Sequence, residues 1–185
     1  MRFSNFSKHA KSEKGFTVIE AVVSASVFAF IFSSVLGVYL LAIQLDAKTR
    51  SERAVQQNAR FIMDFLGKEI RNGSINYGAV NDIDTLSIIN QTDEPEVINW
   101  DGASAITLSK PQGSTNLNSN GVKVTRLNFY LEPLVDPFDL ANDVHIQPHV
   151  TIVLTLESNY GDREGQISTL NVQTTYTVRE YPSRL

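Results

Sequence analysis

Apolar residues are concentrated in one segment near the start of the chain. No charged residue occurs in the 25 positions from Ala21 to Leu45, whose polar side chains are four serines, one tyrosine and one glutamine. At about 1.5 Å per residue a helix of this length measures 37 Å, whereas the hydrocarbon core of a membrane is about 30 Å thick. The pattern therefore predicts a transmembrane helix over residues 16–45.

The pattern becomes amphipathic beyond Leu45. Apolar residues recur at intervals of three and four, at Val55, Ala59, Ile62, Leu66 and Ile70. This period places them on one face of a helix. Arg71-Asn72-Gly73 has the features of a helix end, a basic residue in the last turn and a glycine for the cap. Residues 46–72 are therefore predicted to be the amphipathic half of the same helix, which runs from Phe16 to about Arg71.

Residues 73–185 show the two-residue period of β-strands. Strands are predicted over Leu86–Asn90, Val97–Trp100, Ala105–Ser109, Val122–Glu132, Val150–Leu156 and Leu170–Val178. A phase shift at Thr125–Arg126 predicts a β-bulge. The polar segments Lys110–Gly121 and Ser158–Gln166 are predicted to be a surface loop and a hairpin loop. The fold class is thus α+β, with the amphipathic half of the helix packed on one antiparallel sheet in a β-rich head.

Charge restricts the function and suggests an orientation. The net charge is -4, with 16 basic and 20 acidic residues, so direct contact with nucleic acid is not expected. Residues 1–15, before the apolar segment, contain four basic residues and one acidic residue. Residues 46–55, after it, contain three basic residues and two acidic residues, so the amino-terminal flank is the more positive. The positive-inside rule then places the amino terminus in the cytoplasm and the head outside. A secretory signal peptide is a poor alternative because its apolar region spans only about 7–15 residues.

Glu20 is an unusual residue for its position. Its carboxylate lies inside the apolar block that starts at Phe16. An unpaired carboxylate in lipid costs several kcal/mol, so such a residue needs either a partner or a route to the membrane surface. Two interpretations follow, pairing with a cation in an assembly and snorkelling to the interface near the helix start.

The motif Gly15-Phe16-Thr17-Val18-Ile19-Glu20, preceded by a basic leader, resembles the processing motif of type IV prepilins and pseudopilins. The resemblance implies that prepilin peptidase cuts between Gly15 and Phe16, that leader 1–15 is removed, and that Phe16 is N-methylated. It also implies a lollipop-shaped pilin fold and a filament in which Glu20 pairs with the Phe16 amine of a neighbouring subunit. The implied partners are the peptidase, other pilins or pseudopilins, and membrane lipid before assembly.

Two further segments resemble a subset of this family. Residues 61–72 and 174–180 look most like W-type minor pilins and J-type minor pseudopilins of type II secretion, although this chain has no carboxy-terminal cysteine pair. The resemblance implies a minor structural subunit of a type IV pilus, type II secretion or DNA-uptake filament. The alternative is a single-pass, membrane-anchored ligand-binding domain whose amino terminus is not cleaved.

A ridge of small residues follows the predicted transmembrane helix. It consists of Ala21, Ala25, Ala29, Ser33 and Gly37. Small side chains at this spacing allow neighbouring helices to approach closely, which favours bundling. The alternative is that small residues are simply common in membrane helices.

Motifs of catalysis and cofactor binding are not found in the sequence. The chain has no cysteine, phosphate-binding loop, nucleophile elbow or paired His–Glu zinc helix. His145 and His149 are separated by Pro148, so they do not share a helix face. Asp136, Asp139 and Asp143 offer oxygen ligands for calcium without the spacing of a regular calcium loop, and solvated turn residues are the preferred interpretation. The chain is expected to be neither an enzyme nor dependent on a cofactor.

Overall fold

The computed structural model describes residues 15–139, 141–142, 144, 146–159 and 166–179. The chain divides into two compact units, one ending at Ile43 and one beginning at Gln44. Helix α1 belongs to both, because its first part lies in the first unit and residues 44–72 lie in the second. Each unit is described separately below.

Helix α1 extends from Val18 to Asn72 without a break. Thr17 forms its amino-terminal cap, since the Thr17 Oγ1 accepts a hydrogen bond from the Glu20 N–H (3.3 Å). The helix therefore begins two residues after the predicted start at Phe16. At the other end the Gly73 N–H donates to the Glu69 carbonyl (2.8 Å). A Cβ at Gly73 would collide with the Ile89 carbonyl oxygen, so only glycine fits this helix end.

The described part of the first unit consists of the non-helical residues 15–17 and the apolar part of α1. Every residue from Gly15 to Asp46 is exposed. Ser26, Ser33 and Ser34 donate their hydroxyl hydrogen bonds to backbone carbonyls one turn earlier, at 2.8–2.9 Å. These polar groups are thereby satisfied within the helix. Among the described residues, α1 is the one helix long and apolar enough to cross a membrane.

The second unit contains eight described strands in two antiparallel sheets. The first sheet has five strands in chain order, β1 (Ser74–Ile75), β2 (Thr85–Ile89), β3 (Pro95–Trp100), β4 (Ile106–Lys110) and β5 (Gly113–Asn116). The second sheet has three, β6 (Val122–Glu132), β7 (His149–Ser158) and β8 (Thr169–Thr177). The Phe129 N–H of β6 donates to the Ile83 carbonyl (2.7 Å), which joins the second sheet to the segment before β2.

One hydrophobic core joins the amphipathic half of α1 to both sheets. The helix contributes Ile62 and Leu66, which are fully buried together with Ile98 of the first sheet and Ile152 and Leu154 of the second. The three-to-four-residue period of the helix and the two-residue period of the strands meet in this core, as their patterns predict. The α+β fold, with a long amino-terminal helix packed on antiparallel sheets, is confirmed.

Two sequence predictions about the sheets are wrong. We predicted one sheet and the structure has two, because alternation identifies a strand but not its neighbours. We predicted a loop over Lys110–Gly121, yet this segment contains β5, which forms a hairpin with β4. All four β5 residues are exposed, so the strand has no apolar alternation to detect. The predicted bulge in β6 is confirmed, since the register shifts between Val124 and Arg126.

Candidate functional site

The proposed cleavage position lies just ahead of helix α1. Gly15, Phe16 and Thr17 are exposed and non-helical, and the Phe16 side chain is 74% exposed. The peptide bond between Gly15 and Phe16 is therefore in backbone without intrahelical hydrogen bonds. Residues 1–14 of the predicted leader lie outside the described residues.

Glu20 occupies the first turn of α1 and its side chain is exposed. Within the described part of the chain, its carboxylate has no hydrogen bond or ion pair. Thr17 and Glu20 have the spacing of a capping box, and a negative charge near a helix amino terminus is favourable. The sequence prediction missed this local role for Thr17, although the Thr-x-x-Glu spacing was visible.

The small-residue ridge lies along an exposed helix. Ser33 turns its hydroxyl back to the Ala29 carbonyl (2.8 Å), so it presents little polar surface to a neighbour. A Cβ added at Gly37 would meet no atom within 4 Å, and α1 continues through this position. Because four residues exceed one turn by about 40°, the ridge winds around the helix. Nothing in the described chain packs against it.

Exposed apolar surface is concentrated in the first unit. Eighteen of the 25 exposed large hydrophobic residues among those described lie between Phe16 and Leu45. Soluble monomers rarely expose a continuous apolar patch larger than about 300–600 Å², and larger patches mark sites of protein or membrane interaction. A helix that is apolar over its whole circumference is typical of a membrane span or of the core of a large protein.

Of the three aspartates proposed for calcium, the structure describes Asp136 and Asp139. The Asp136 and Asp139 Oδ1 atoms accept backbone hydrogen bonds from Phe138 and Ala141, each at 2.9 Å, which is the geometry of Asx turns. Asp143 lies outside the described residues. Within the described ranges no three His, Cys, Asp or Glu side chains are grouped to hold a metal ion.

A groove in the second unit was not predicted from the sequence. It has a volume of about 480 Å³, and its lining includes Tyr77, Ile83, Phe129 and Leu134. The Tyr77 hydroxyl donates to the Pro133 carbonyl (3.2 Å). Burial, with a smaller contribution from the Asp136 charge, raises the pKa of Tyr77 to about 12. The lining residues come from segments some 50 positions apart in sequence, so no local pattern indicates the groove.

A buried ion pair lies between neighbouring strands of the first sheet. Glu96 is fully buried, and its Oε1 lies 2.6 Å from the Lys110 Nζ and 2.7 Å from the Asn90 Nδ2. The hydrogen bond with Glu96 raises the pKa of Lys110. The Glu96 Oε2 has no partner among the described residues. The two-residue period of β3 could have indicated that Glu96 is buried, because Glu96 lies on the same inward face of the strand as Ile98.

Comparison of the chain with protein-family models, with curated proteins and with solved structures gives no match. The features available for assigning a function are those of the chain itself. They are the exposed apolar helix, the carboxylate of Glu20 near its start, and the surfaces of the second unit.

Proposed function

We propose that the chain is the precursor of a filament subunit of the type IV pilin and pseudopilin class, a minor subunit of a type IV pilus, type II secretion or DNA-uptake filament. The observation that carries the proposal is the part of α1 from Val18 to Leu45, which is exposed throughout, long and apolar enough to cross a membrane, and carries Glu20 near its start as its one charged side chain. In this proposal lipid covers the helix before assembly, and helices of other subunits cover it in the filament.

The geometry around Gly15 supports processing by prepilin peptidase. The bond between Gly15 and Phe16 is exposed and lies outside α1, so cleavage there leaves the helix and its cap at Thr17 intact. Cleavage would leave a new amine on Phe16 at the start of the mature chain. In the proposed orientation this terminus faces the cytoplasm and the second unit lies outside it.

Pairing between subunits gives Glu20 the partner that the described chain does not supply. The Phe16 amine of a neighbouring subunit is a cation of suitable charge, and subunits assembled out of register would leave both charges unpaired. The ridge from Ala21 to Gly37 then lets neighbouring helices approach. The chain acts in this proposal as a structural protein and carries out no catalysis.

Amino-terminal sequencing tests the processing step. The full chain is expressed in cells that contain prepilin peptidase and is recovered from their membranes. A Gly15→Leu variant, expressed in the same way, is the control. We expect the mature chain to begin at N-methylated Phe16 and the variant to retain Met1. Recovery of unprocessed wild-type chain from cells in which another prepilin is cleaved would refute the proposal.

Glu20→Gln tests the pairing step separately. The substitution removes the charge and keeps the shape, so membrane insertion and cleavage should continue while recovery in sheared filaments falls by about tenfold or more, which corresponds to about 1.4 kcal/mol. Glu52→Gln is the matched control, because Glu52 is an exposed glutamate on the same helix in the second unit. Equal incorporation of wild type and Glu20→Gln would count against the pairing.

The groove at Tyr77 favours a second function, that of a membrane-anchored ligand-binding domain with an uncleaved amino terminus. A cavity of about 480 Å³ is within the size range of small-molecule sites. The same sequencing experiment separates the two functions, since this alternative requires Met1 to persist in the membrane-bound protein.

A further inference from the structure

The polar side chains that line the groove at Tyr77 donate most of their own hydrogens to the protein. The Tyr77 hydroxyl donates to the Pro133 carbonyl (3.2 Å). The Thr85 hydroxyl donates to the Asp84 Oδ1 atom (3.0 Å). The Asn81 Nδ2 group donates to two carbonyls of its own loop, at 2.9 Å and 3.4 Å. These groups therefore offer a ligand oxygen atoms that accept hydrogen bonds.

Two carboxylates in the lining add further acceptors, those of Asp82 and Glu132. The Asp82 Oδ1 atom accepts the Ile83 N–H (2.7 Å), and the Glu132 Oε2 atom lies 3.2 Å from the His149 Nε2 atom. The second oxygen of each carboxylate has no hydrogen bond or ion pair among the described residues. Of the lining side chains, the Tyr130 hydroxyl is the one donor without an acceptor in the described part of the chain. A ligand that fits the groove must therefore supply hydrogen-bond donors.

The sequence around the groove carries a strong negative charge. The lining residues lie within two stretches, 72–109 and 127–162, that contain no lysine or arginine. These stretches hold 12 of the 20 acidic residues, a formal charge of -12, whereas the rest of the chain has 16 basic and eight acidic residues, a formal charge of +8. A cleft surrounded by charge of one sign raises the local concentration of oppositely charged ligands. The groove therefore favours a cation.

The remaining lining of the groove is apolar and aromatic. Phe129 is buried, while Ile83, Tyr130 and Leu134 are exposed large hydrophobic side chains. Aromatic rings attract cations, and apolar walls contact the apolar body of a ligand. Calcium and magnesium prefer a shell of oxygen ligands and would leave this apolar surface unused. An organic cation uses both parts of the lining.

The two walls of the groove are fixed to each other. The Phe129 N–H donates to the Ile83 carbonyl (2.7 Å), and Asp82 and Thr85 exchange two backbone hydrogen bonds, at 2.9 Å and 3.2 Å. A preformed site lowers the cost of ordering on binding. Twelve residues line the groove, whereas each partner in a standard protein interface contributes about 20–30 residues. A small molecule is therefore the better occupant.

We propose that the groove at Tyr77 binds a small organic amine, with its ammonium group at Asp82 and Glu132 and its apolar body against Phe129 and Ile83. The inference rests on the groove that favours the second function above, and it names the class of ligand. It does not require the amino terminus to remain uncleaved. Sequencing tests cleavage and a binding measurement tests the groove, so each can fail without the other.

Titration of the full chain with phenethylamine in nonionic detergent micelles tests this site. Phenylethanol and phenylpropionate are the comparison ligands, because they keep the phenyl group and replace the ammonium by a neutral hydroxyl or by a carboxylate. Amide chemical shifts of residues 77–86 and 129–134 report binding at the groove. We expect phenethylamine to bind at least about tenfold more tightly than phenylethanol, because its ammonium donates charge-assisted hydrogen bonds. Phenylpropionate should not bind, and about 0.5 M salt should weaken the binding of phenethylamine.

Asp82→Asn with Glu132→Gln is the decisive double variant. Both changes remove charge and keep the shape, and the asparagine retains an oxygen for the Ile83 N–H. Glu94→Gln with Asp101→Asn is the matched control, because it removes the same charge at two positions that do not line the groove. We expect the affinity for phenethylamine to fall about tenfold in the first double variant and to stay within about twofold of wild type in the control.

Five results would overturn the proposal. They are no shift of the groove amides at millimolar phenethylamine, equal affinity for phenylethanol, undiminished affinity in the folded groove variant, an equal loss in the control variant, and displacement of phenethylamine by an equimolar amount of calcium chloride. The last of these would show a metal site instead. Tighter binding of the peptide acetyl-Leu-Lys-Leu-amide than of phenethylamine would show a polypeptide partner, and would also overturn it.

Discussion

At Gly67 the helix α1 lacks a side chain because the Tyr176 ring occupies that space. An added Cβ would lie 2.6 Å from the Tyr176 Cε1 atom and 2.7 Å from the Cζ atom. The ring is itself fixed, since its hydroxyl donates to the Met63 carbonyl (2.9 Å) and the Arg71 guanidinium lies over its face, 5.2 Å from the centroid. The absence of a side chain at Gly67 thus allows the Tyr176 ring of β8 to pack directly against the helix.

Gly67→Ala should therefore destabilise the protein although alanine is the better helix former. The gain in helix propensity is about 1 kcal/mol, whereas overpacking of a buried site costs about 1–3 kcal/mol and here also threatens the tyrosine hydrogen bond. We expect a net loss of about 1 kcal/mol in the free energy of unfolding, measured by denaturant titration. Gly37→Ala is the control, since nothing lies within 4 Å of its added Cβ. A Gly67→Ala variant more stable than wild type would show that the ring moves freely.

The pair of Glu96 and Lys110 illustrates how a buried charge depends on its partner. Lys110→Met should cost about 3 kcal/mol of unfolding free energy, because it leaves a buried carboxylate without a cation. The double variant Glu96→Leu with Lys110→Met should recover most of that loss, because the desolvation cost disappears together with the ion pair. Thermal and denaturant unfolding of the three proteins provide the measurement. A double variant as unstable as Lys110→Met would indicate that the carboxylate is not the cause.

At the scale of the element, α1 is one continuous helix with two different surroundings. Its first part has no buried residue, whereas its second part buries one face in the core. The change coincides with the change in sequence pattern near Leu45. The backbone hydrogen bonds of the helix are the same throughout, so side chains alone determine what each part contacts.

Adjacent residues in the second part of α1 should respond very differently to truncation. Ile62 is 0% exposed and Phe61 is 55% exposed. Ile62→Ala should cost about 2–5 kcal/mol through lost burial and a cavity. Phe61→Ala removes a larger side chain but loses chiefly its stacking with Phe65, which is worth about 1 kcal/mol. Equal losses in chemical denaturation would contradict the assignment of the buried face.

Local patterns account for the elements that the sequence predicted correctly. The span of α1, the bulge between Val124 and Arg126 and the strand β7 each follow from residues that are neighbours along the chain. The division into two sheets and the groove at Tyr77 depend on which distant segments of the chain meet. The strand β5 was missed for another reason, because all of its residues are exposed and it has no apolar alternation. The proposed pairing residues Phe16 and Glu20 belong to the local class, because they lie four positions apart in one continuous motif.

At the scale of the whole molecule, the two units have different requirements for solvent. The second unit has its own core and contains eight of the 25 exposed large hydrophobic residues described, Leu45 among them, while the other 17 lie in the first unit between Phe16 and Ile43. Among the described residues, the helix that is long and apolar enough to cross a membrane owes that property to its part in the first unit.

A chain that begins at Gln44 should consequently fold without detergent. Its core residues are all retained, since Val55 is the first apolar residue of the helix to be buried. We expect a monomer in size-exclusion chromatography, with cooperative thermal unfolding and a circular dichroism spectrum of mixed helix and strand, whereas the full chain should aggregate unless detergent or membrane is present. Ile62→Ala in the shortened chain should lower its unfolding temperature, because the same helix face packs on the sheets. A shortened chain that stays unfolded, or that dissolves no better than the full chain, would mean that the apolar helix is needed by the core and is more than an anchor or an assembly element.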